Sequence, residues 1–452
     1  MAKRIAILGS FDTKGAELGF LRDRIHGLEC LTLCIDASLG ADPTIPTDIS
    51  SAEVATAAGA DIREIRKSRD TRAVTETMIR GASAVVRRLF DAGRLDGIIS
   101  IGGASNTGLA TTVMGVLPFG VPKVMVSSMA AVPAYAGSYF GTKDITMIHS
   151  VVDIAGLNPL LASVLSRAAG AVCGMVGASS GDLDLFSADR SRPRVALTEF
   201  KFSETCCRHA AGLLAAAGVE VVPFHAQGIG DRAMEGLIQQ GLIDGVLDVV
   251  PAGLAEEVLG GNRGAGPDRL EAAGRAGIPQ VVTPCGFDML SCGPVERGDR
   301  EDPLWVTRQL LKRKRFVPDA QRVQVRTTAE ELVQIADLVA AKLNRGRGAT
   351  CVLIPTRGWS SLSEEGMPLC DFDADAAFTR CLKDRLDGGV DLRELDLALN
   401  TVEFAEIAVA ELLRMLGARD HTTPDAASPA VSACPPESLP NRFAGRDDRS
   451  LL

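Results

Sequence analysis

Basic charge, aromatic rings and histidine are all scarce in this chain of 452 residues. It carries 48 Lys and Arg against 57 Asp and Glu, a net charge of −9, and its aromatic fraction is 4%. A surface that grips nucleic acid irrespective of sequence needs basic patches and stacking rings, so no nucleic-acid partner is expected. Five histidines, His26, His149, His209, His225 and His421, are too few and too dispersed to announce a metal cluster. Eleven cysteines are present, yet no C-x-x-C pair occurs; buried reduced thiols are expected rather than zinc or disulfides, and no metal-ligand set is assigned. A G-x-x-x-x-G-K-[ST] motif is also missing, which excludes a P-loop NTPase. The apolar run Ile5 to Leu8 is too short for a signal peptide or membrane span, and no later stretch reaches that length free of charge. The expectation is a cytoplasmic protein with no membrane partner.

What the chain does have is ample apolar material, 46% of its residues, arranged in short runs that alternate with helix-like segments. Arg4 to Leu8, Cys30 to Ile35, Gly97 to Ile101 and Lys123 to Ser127 read as buried strands. After a polar, turn-rich stretch the alternation restarts at Val195 to Thr198, Val219 to Phe224, Gly245 to Val250, Gln280 to Thr283, Val323 to Arg326 and Cys351 to Pro355. Alternation at this spacing predicts parallel sheets wrapped by helices. The fold class expected is therefore α/β, with two Rossmann-like domains: residues 1–184, residues 194–417, and a disordered tail over 418–452 that is rich in Pro, Ser, Ala and Asp. One helix is marked at its start, where Thr328 and Glu331 form a capping box and Leu332, Ile335, Ala336, Val339 and Leu343 follow at helical spacing.

Chemistry is expected at the carboxyl ends of the strands, where open parallel sheets present ligand-binding loops. After the first strand come Gly9, Asp12, Thr13 and Lys14: the cation suits a phosphate, the hydroxyl can donate to it, and the carboxylate can hold Mg²⁺ or a ribose hydroxyl. The second strand ends at Asp36, a candidate for ribose. The third feeds a helix through "GGASNTG", in which Gly102, Gly103, Ser105, Asn106 and Thr107 make an anion cradle of small residues and free backbone N–H groups. A third such loop, Gly141-Thr142-Lys143-Asp144, adds Thr142. In the second domain Glu199 and His225 are candidate acid and base, and Arg326 and Arg357 candidate clamps for a carboxylate or phosphate. Each of these residues also has an ordinary reading as a cap or a surface group. Gly228 to Ala233 fits G-x-G-x-x-A with Asp248 twenty residues on, a weak dinucleotide match. Gly177 to Gly181 fits G-x-S-x-G, but the polar sequence after it is not the helix of a nucleophile elbow.

Taken together, "DTKGAEL", "IGGASNTGLA", "GTKDITMIHSVVDIAGLN", "FHAQGIGDRAMEGLI", "GAGPDRLEAAGRAGIPQVVTPCGFDML", "RTTAEE" and "LIPTRGWSSLS" resemble the UPF0261 (Tm-1-like) family over about Lys3 to Leu416. The resemblance implies two α/β domains, a homodimer, and binding of ATP with magnesium by the N-terminal domain. The inhibition of viral RNA replication known for the family's plant member depends on a plant partner and is not carried over.

Three functions are compatible with these residues. The first is ATP–Mg²⁺ binding in the first domain. The second is catalysis on a small carboxylated or phosphorylated metabolite in the second. The third is a non-catalytic interaction protein whose nucleotide only stabilises a dimer.

Overall fold

The computed structural model describes residues 2–178 and 192–420, which fall into two compact units. The expected domain boundary lies mostly outside the described residues, as do most of the G-x-S-x-G match and nearly all of the tail. Its first three positions still belong to helix Val402–Asp420.

In the first unit five parallel strands, β1 (Arg4–Gly9), β2 (Leu31–Asp36), β3 (Gly97–Gly102), β4 (Lys123–Ser127) and β5 (Thr146–His149), lie in the order β2-β1-β3-β4-β5. Strand alternation divides the core into two faces. Ala6 and Leu8 join the cluster under helices Thr71–Asp91 and Ala104–Met114, while Ile5 and Ile7 join the one under Gly15–His26 and Pro159–Ala178. Both faces being covered, β1 is apolar almost throughout. Helix Pro159–Ala178 is long and apolar enough to cross a membrane, but seven of its side chains, from Leu161 to Val176, are buried in the unit. The strand order reverses direction between β1 and β3, so the crevice beyond their carboxyl ends is the topological switch point.

The second unit has six parallel strands: β6 (Arg194–Glu199), β7 (Glu220–His225), β8 (Gly245–Asp248), β9 (Gln280–Val282), β13 (Thr350–Pro355) and β14 (Val390–Leu395), in the order β14-β13-β9-β8-β6-β7. Its switch point lies between β6 and β8. A small antiparallel sheet, β10 (Met289–Ser291), β12 (Gln324–Arg326) and β11 (Arg315–Phe316), is inserted between β9 and β13. The apolar run ending at Arg326 therefore belongs to this insertion and not to the parallel sheet. The capping box forms as expected: Thr328 Oγ1 accepts from the Glu331 amide at 3.3 Å and Glu331 Oε2 from the Thr328 amide at 3.0 Å, opening helix Ala329–Leu343.

Candidate functional site

At the first switch point the two loops are fixed by their own side chains. A Cβ at Gly15 would fall 1.8 Å from Thr44 Oγ1, so that position is tightly closed, whereas at Gly9 it would meet only the flexible end of Leu18, 2.9 Å from Cδ1. The Asp12 amide donates to Ser38 Oγ at 3.0 Å, the Phe11 amide donates to Asp36 Oδ1 at 3.3 Å, and Lys14 Nζ donates to the Ile154 carbonyl. From the first turn of helix Ala104–Met114, Asn106 Nδ2 donates back to β3, to the Ile101 carbonyl at 2.7 Å and to Ser100 Oγ at 3.1 Å. Ser100 Oγ in turn donates to the Leu8 carbonyl at 2.6 Å, linking β3 to β1.

Outward from this frame lie exposed Thr13, Ala104 and Ser105, with Asp12, Lys14 and Gly103 half-buried. Helices Gly15–His26 and Ala104–Met114 both begin here without a side-chain cap, at Lys14 and Gly103. Ser50, Asp61 and Asp70 cap the three helices between β2 and β3, whereas helix Pro133–Phe140, after β4, is also without a side-chain cap but opens on a proline, which has no N–H to offer. Two uncapped helix starts leave their first-turn N–H groups available to an anion. Beside them, Asp12 Oδ1 is buried with no hydrogen-bond partner among the described residues.

Several expected site residues are placed otherwise. Asp36 is fully buried, its Oδ1 taken by the Phe11 and Ser38 amides, so it braces the loop and does not face a ribose. Thr107 is buried and shares a 2.7 Å hydrogen bond with Ser127 Oγ, and Asn106 turns its amide inward; both hold the loop. Thr142 is on the other side of the sheet. The loop 141–145 enters β5 from its amino end, where neighbouring Asp144 pairs with Lys123 at the start of β4 at 2.8 Å. A strand's polar approach loop has the same composition as its exit loop, so sequence alone did not separate them.

In the second unit, Glu199 and His225 are register partners at the carboxyl ends of β6 and β7, half-buried and exposed respectively. Arg357 also lies at this edge, exposed and forked onto Asp396 at 2.7 and 2.6 Å. Arg326 is not an open clamp. It is 3% exposed, paired with Asp375, and donates to the Asp288 and Asp371 carbonyls at 3.0 Å each. The dinucleotide match dissolves for similar reasons. A Cβ on Gly230 would stand 2.1 Å from the His225 carbonyl oxygen, and Asp248 is locked to buried Arg269, leaving no carboxylate for a ribose.

That Arg269 network escaped the sequence reading. One guanidinium at 1% exposure meets Asp231, Glu235 and Asp248, and Thr198 Oγ1 donates to Asp248 at 2.8 Å. An Arg in a Gly- and Pro-rich loop carries no sign that it will be buried. Cys351, Asp391 and Glu411 also gather their ligand atoms within 4.8 Å. Arg393 and Arg414 already neutralise those carboxylates, and burial pushes the Cys351 thiol up to about 12, so the cluster is an ion-pair network.

Comparison with known proteins gives the lineage. Residues 3–181 match the model described as Uncharacterised protein family (UPF0261) N-terminal domain, and residues 192–416 match its C-terminal domain. A UPF0261 protein of Clostridium tetani is 38% identical over 419 residues, covering 92% of this chain and 100% of that protein. A UPF0261 protein of Brucella suis biovar 1 is 32% identical, covering 90% and 94%. The ToMV resistance protein Tm-1(GCR237) of Solanum lycopersicum is 30% identical, covering 91% of this chain and 56% of that protein. Among solved structures, the UDP-N-acetylglucosamine 2-epimerase from Rickettsia bellii aligns at 9% identity over 93% of this chain and 99% of that one. Its TM-score of 0.21 carries no argument. With both domain models matched in order and relatives above 30% identity along most of its length, the chain belongs to the UPF0261 family.

Proposed function

We propose that the first unit binds a nucleotide, ATP with magnesium, in the crevice between the β1 and β3 loops. The observation that carries this reading is the pair of uncapped helices, Gly15–His26 and Ala104–Met114, starting side by side at the switch point. One helix end favours an anion by only about 0.3–1 kcal/mol, reaching about 2 in favourable sites, whereas micromolar affinity needs about 8 kcal/mol. Several donors must therefore converge. Beyond the two sets of amides, the Lys14 ammonium and the Thr13 and Ser105 hydroxyls are at hand, while Gly103 keeps the approach open. The donor set also fits magnesium, since the buried, unpartnered Oδ1 of Asp12 is a hard oxygen at the same edge. When bound, the ion would offset phosphate charge.

Titration calorimetry of the full chain with ATP, with and without Mg²⁺, tests the reading. Magnesium-dependent binding that is lost in Lys14→Ala and Gly103→Val supports it. No heat with any nucleotide, or heat unchanged in both variants, overturns it.

A second reading rests on Glu199 and His225. As register partners at the carboxyl ends of adjacent strands, they can serve as acid and base toward a small carboxylated or phosphorylated metabolite in the second unit. Arg357 could contribute there only by giving up Asp396.

A further inference from the structure

The second unit contains a cationic groove beside the Thr328–Glu331 capping box, away from the strand-end residues Glu199, His225 and Arg357. Between helix Pro303–Thr307 and β11 the chain runs Arg308-Gln309-Leu310-Leu311-Lys312-Arg313-Lys314-Arg315, five cations in eight residues of a protein whose net charge is −9. Leu310 is fully buried and anchors the turn, and Gln309 adopts a left-handed backbone (φ 52°), which folds the segment back on itself. Lys314 and Arg315 are spent on backbone carbonyls of Cys370 and Leu311. Arg308, Lys312 and Arg313 instead line a cavity of about 530 Å³ together with Gln309, Thr328 and Glu331.

The only acid on that lining is Glu331. Arg308 Nη1 donates to its Oε1 at 2.8 Å, and Arg313 donates through Nη1 to Oε2 at 2.7 Å and through Nη2 to Oε1 at 3.1 Å. Two guanidinium groups thus share one carboxylate, and the exposed Lys312 ammonium, held only to Gln309 Oε1 at 3.2 Å, adds a third positive charge. On the lining three cations face one anion, with exposed Glu330 acting on Arg313 from outside it, and the remaining excess of positive charge favours a further anion. The helix start beside them is already closed by the Thr328–Glu331 capping box and contributes nothing to the argument.

From this geometry we propose that the cavity binds the phosphate group of a small phosphorylated metabolite. Phosphate is favoured over carboxylate by the donors that remain. The Arg313 fork is committed to Glu331, and Arg308 has given Nε to the Leu259 carbonyl at 2.7 Å as well as Nη1 to Glu331. What is left is Nη2 of Arg308, the Lys312 ammonium and the Gln309 amide: single donors approaching from different directions. A tetrahedral anion accepts from such a set, whereas a planar carboxylate gains most from a parallel fork. The groove is largely open to solvent, so an organic remainder attached to the phosphate can extend outward without a clash.

The probe is pyrophosphate, titrated calorimetrically into the full chain, with citrate as the carboxylate comparison. Binding is expected to weaken at least about tenfold in Lys312→Gln, to weaken further in Arg308→Gln, and to persist in Gly103→Val, which alters only the first unit. Arg308→Gln removes a bond to Glu331 and can disturb the fold; Lys312→Gln touches nothing but an exposed side chain and decides the matter. Absence of heat, an unchanged affinity in Lys312→Gln, or citrate binding as tightly as pyrophosphate overturns the proposal. Loss of pyrophosphate in Gly103→Val would assign the anion to the first unit instead.

Discussion

Arg269 lies fork to fork against Asp248, with Nη1 2.7 Å from Oδ2 and Nη2 2.8 Å from Oδ1, and each side chain is 1% exposed. The same guanidinium reaches Asp231 through Nε at 2.9 Å and Glu235 through Nη1 at 3.2 Å. Asp248 ends β8 and Asp231 and Glu235 lie on helix Ile229–Gln239, so one side chain ties the 260–272 loop to both.

Replacing Arg269 by Met should therefore cost about 3–5 kcal/mol, because three buried carboxylates lose the cation they share, the one ion-pair partner they have among the described residues. The two tryptophans, Trp305 and Trp359, both lie in the second unit. Their fluorescence during urea unfolding reports that unit alone. A loss under about 1 kcal/mol would show that the carboxyls shed their charge without needing the arginine.

In the first unit, adjacent glycines should behave differently. A Cβ on Gly102 would stand 2.6 Å from Asn106 Cβ, whereas at Gly103 the nearest atom, Ser128 Oγ, is 3.8 Å away and φ is −84°. Gly102→Ala should destabilise by about 1–3 kcal/mol. Gly103→Val should cost no more than about 1 kcal/mol, for the poorer N-cap, yet weaken ATP at least about tenfold, since its side chain projects into the crevice. Thermal melts followed by circular dichroism, paired with calorimetry, separate the two; equal destabilisation would mean the β3 loop is only a packing turn.

Asp12→Asn isolates the role of magnesium. Its Oδ2 accepts from the Ala41 amide at 3.2 Å, a bond that an amide oxygen can keep, while the unpartnered Oδ1 position loses its charge. ATP affinity measured without Mg²⁺ should hold or rise, as a negative charge near the phosphates is gone, and the gain on adding Mg²⁺ should disappear. Retention of the full magnesium effect would remove Asp12 from the site.

The fold was legible because its signal is repetitive. Runs such as Ile98 to Ile101 are buried on both faces and read as strands wherever they occur, and the Thr328 capping box is local chemistry complete within four residues. Edge strands carry a weaker mark: β14 alternates charge with apolar residues as "VDLREL" and is exposed along much of its length, so it was not anticipated. The sites were harder. Which edge of the sheet a loop occupies depends on where the preceding helix ends, and that misplaced Thr142. Whether a cation is open or buried depends on distant partners. Arg326 is silenced by Asp375, forty-nine residues away, and the basic run at Arg308 acquires a context only from Glu331, which lies eighteen residues beyond Arg313.

Glu256 offers a pH test of the second unit. Burial pushes its carboxyl from 4.5 up to about 7, although the Ser291 amide donates to Oε1 at 2.8 Å and Arg263 lies nearby. An acid raised in this way keeps its proton in the folded chain over a range where the unfolded chain has released it. Its stabilising contribution is therefore complete below about pH 4.5 and is lost as pH rises through about 7. The span corresponds to about 3 kcal/mol. Glu256→Gln cannot titrate, so whatever its absolute stability, the difference from the native chain should shift in the variant's favour by about that amount between pH 5 and pH 8. Trp fluorescence during urea unfolding at several pH values measures the difference. Parallel curves would mean that Glu256 ionises in the folded protein as readily as in water, and that Arg263 and the Ser291 amide together offset its burial.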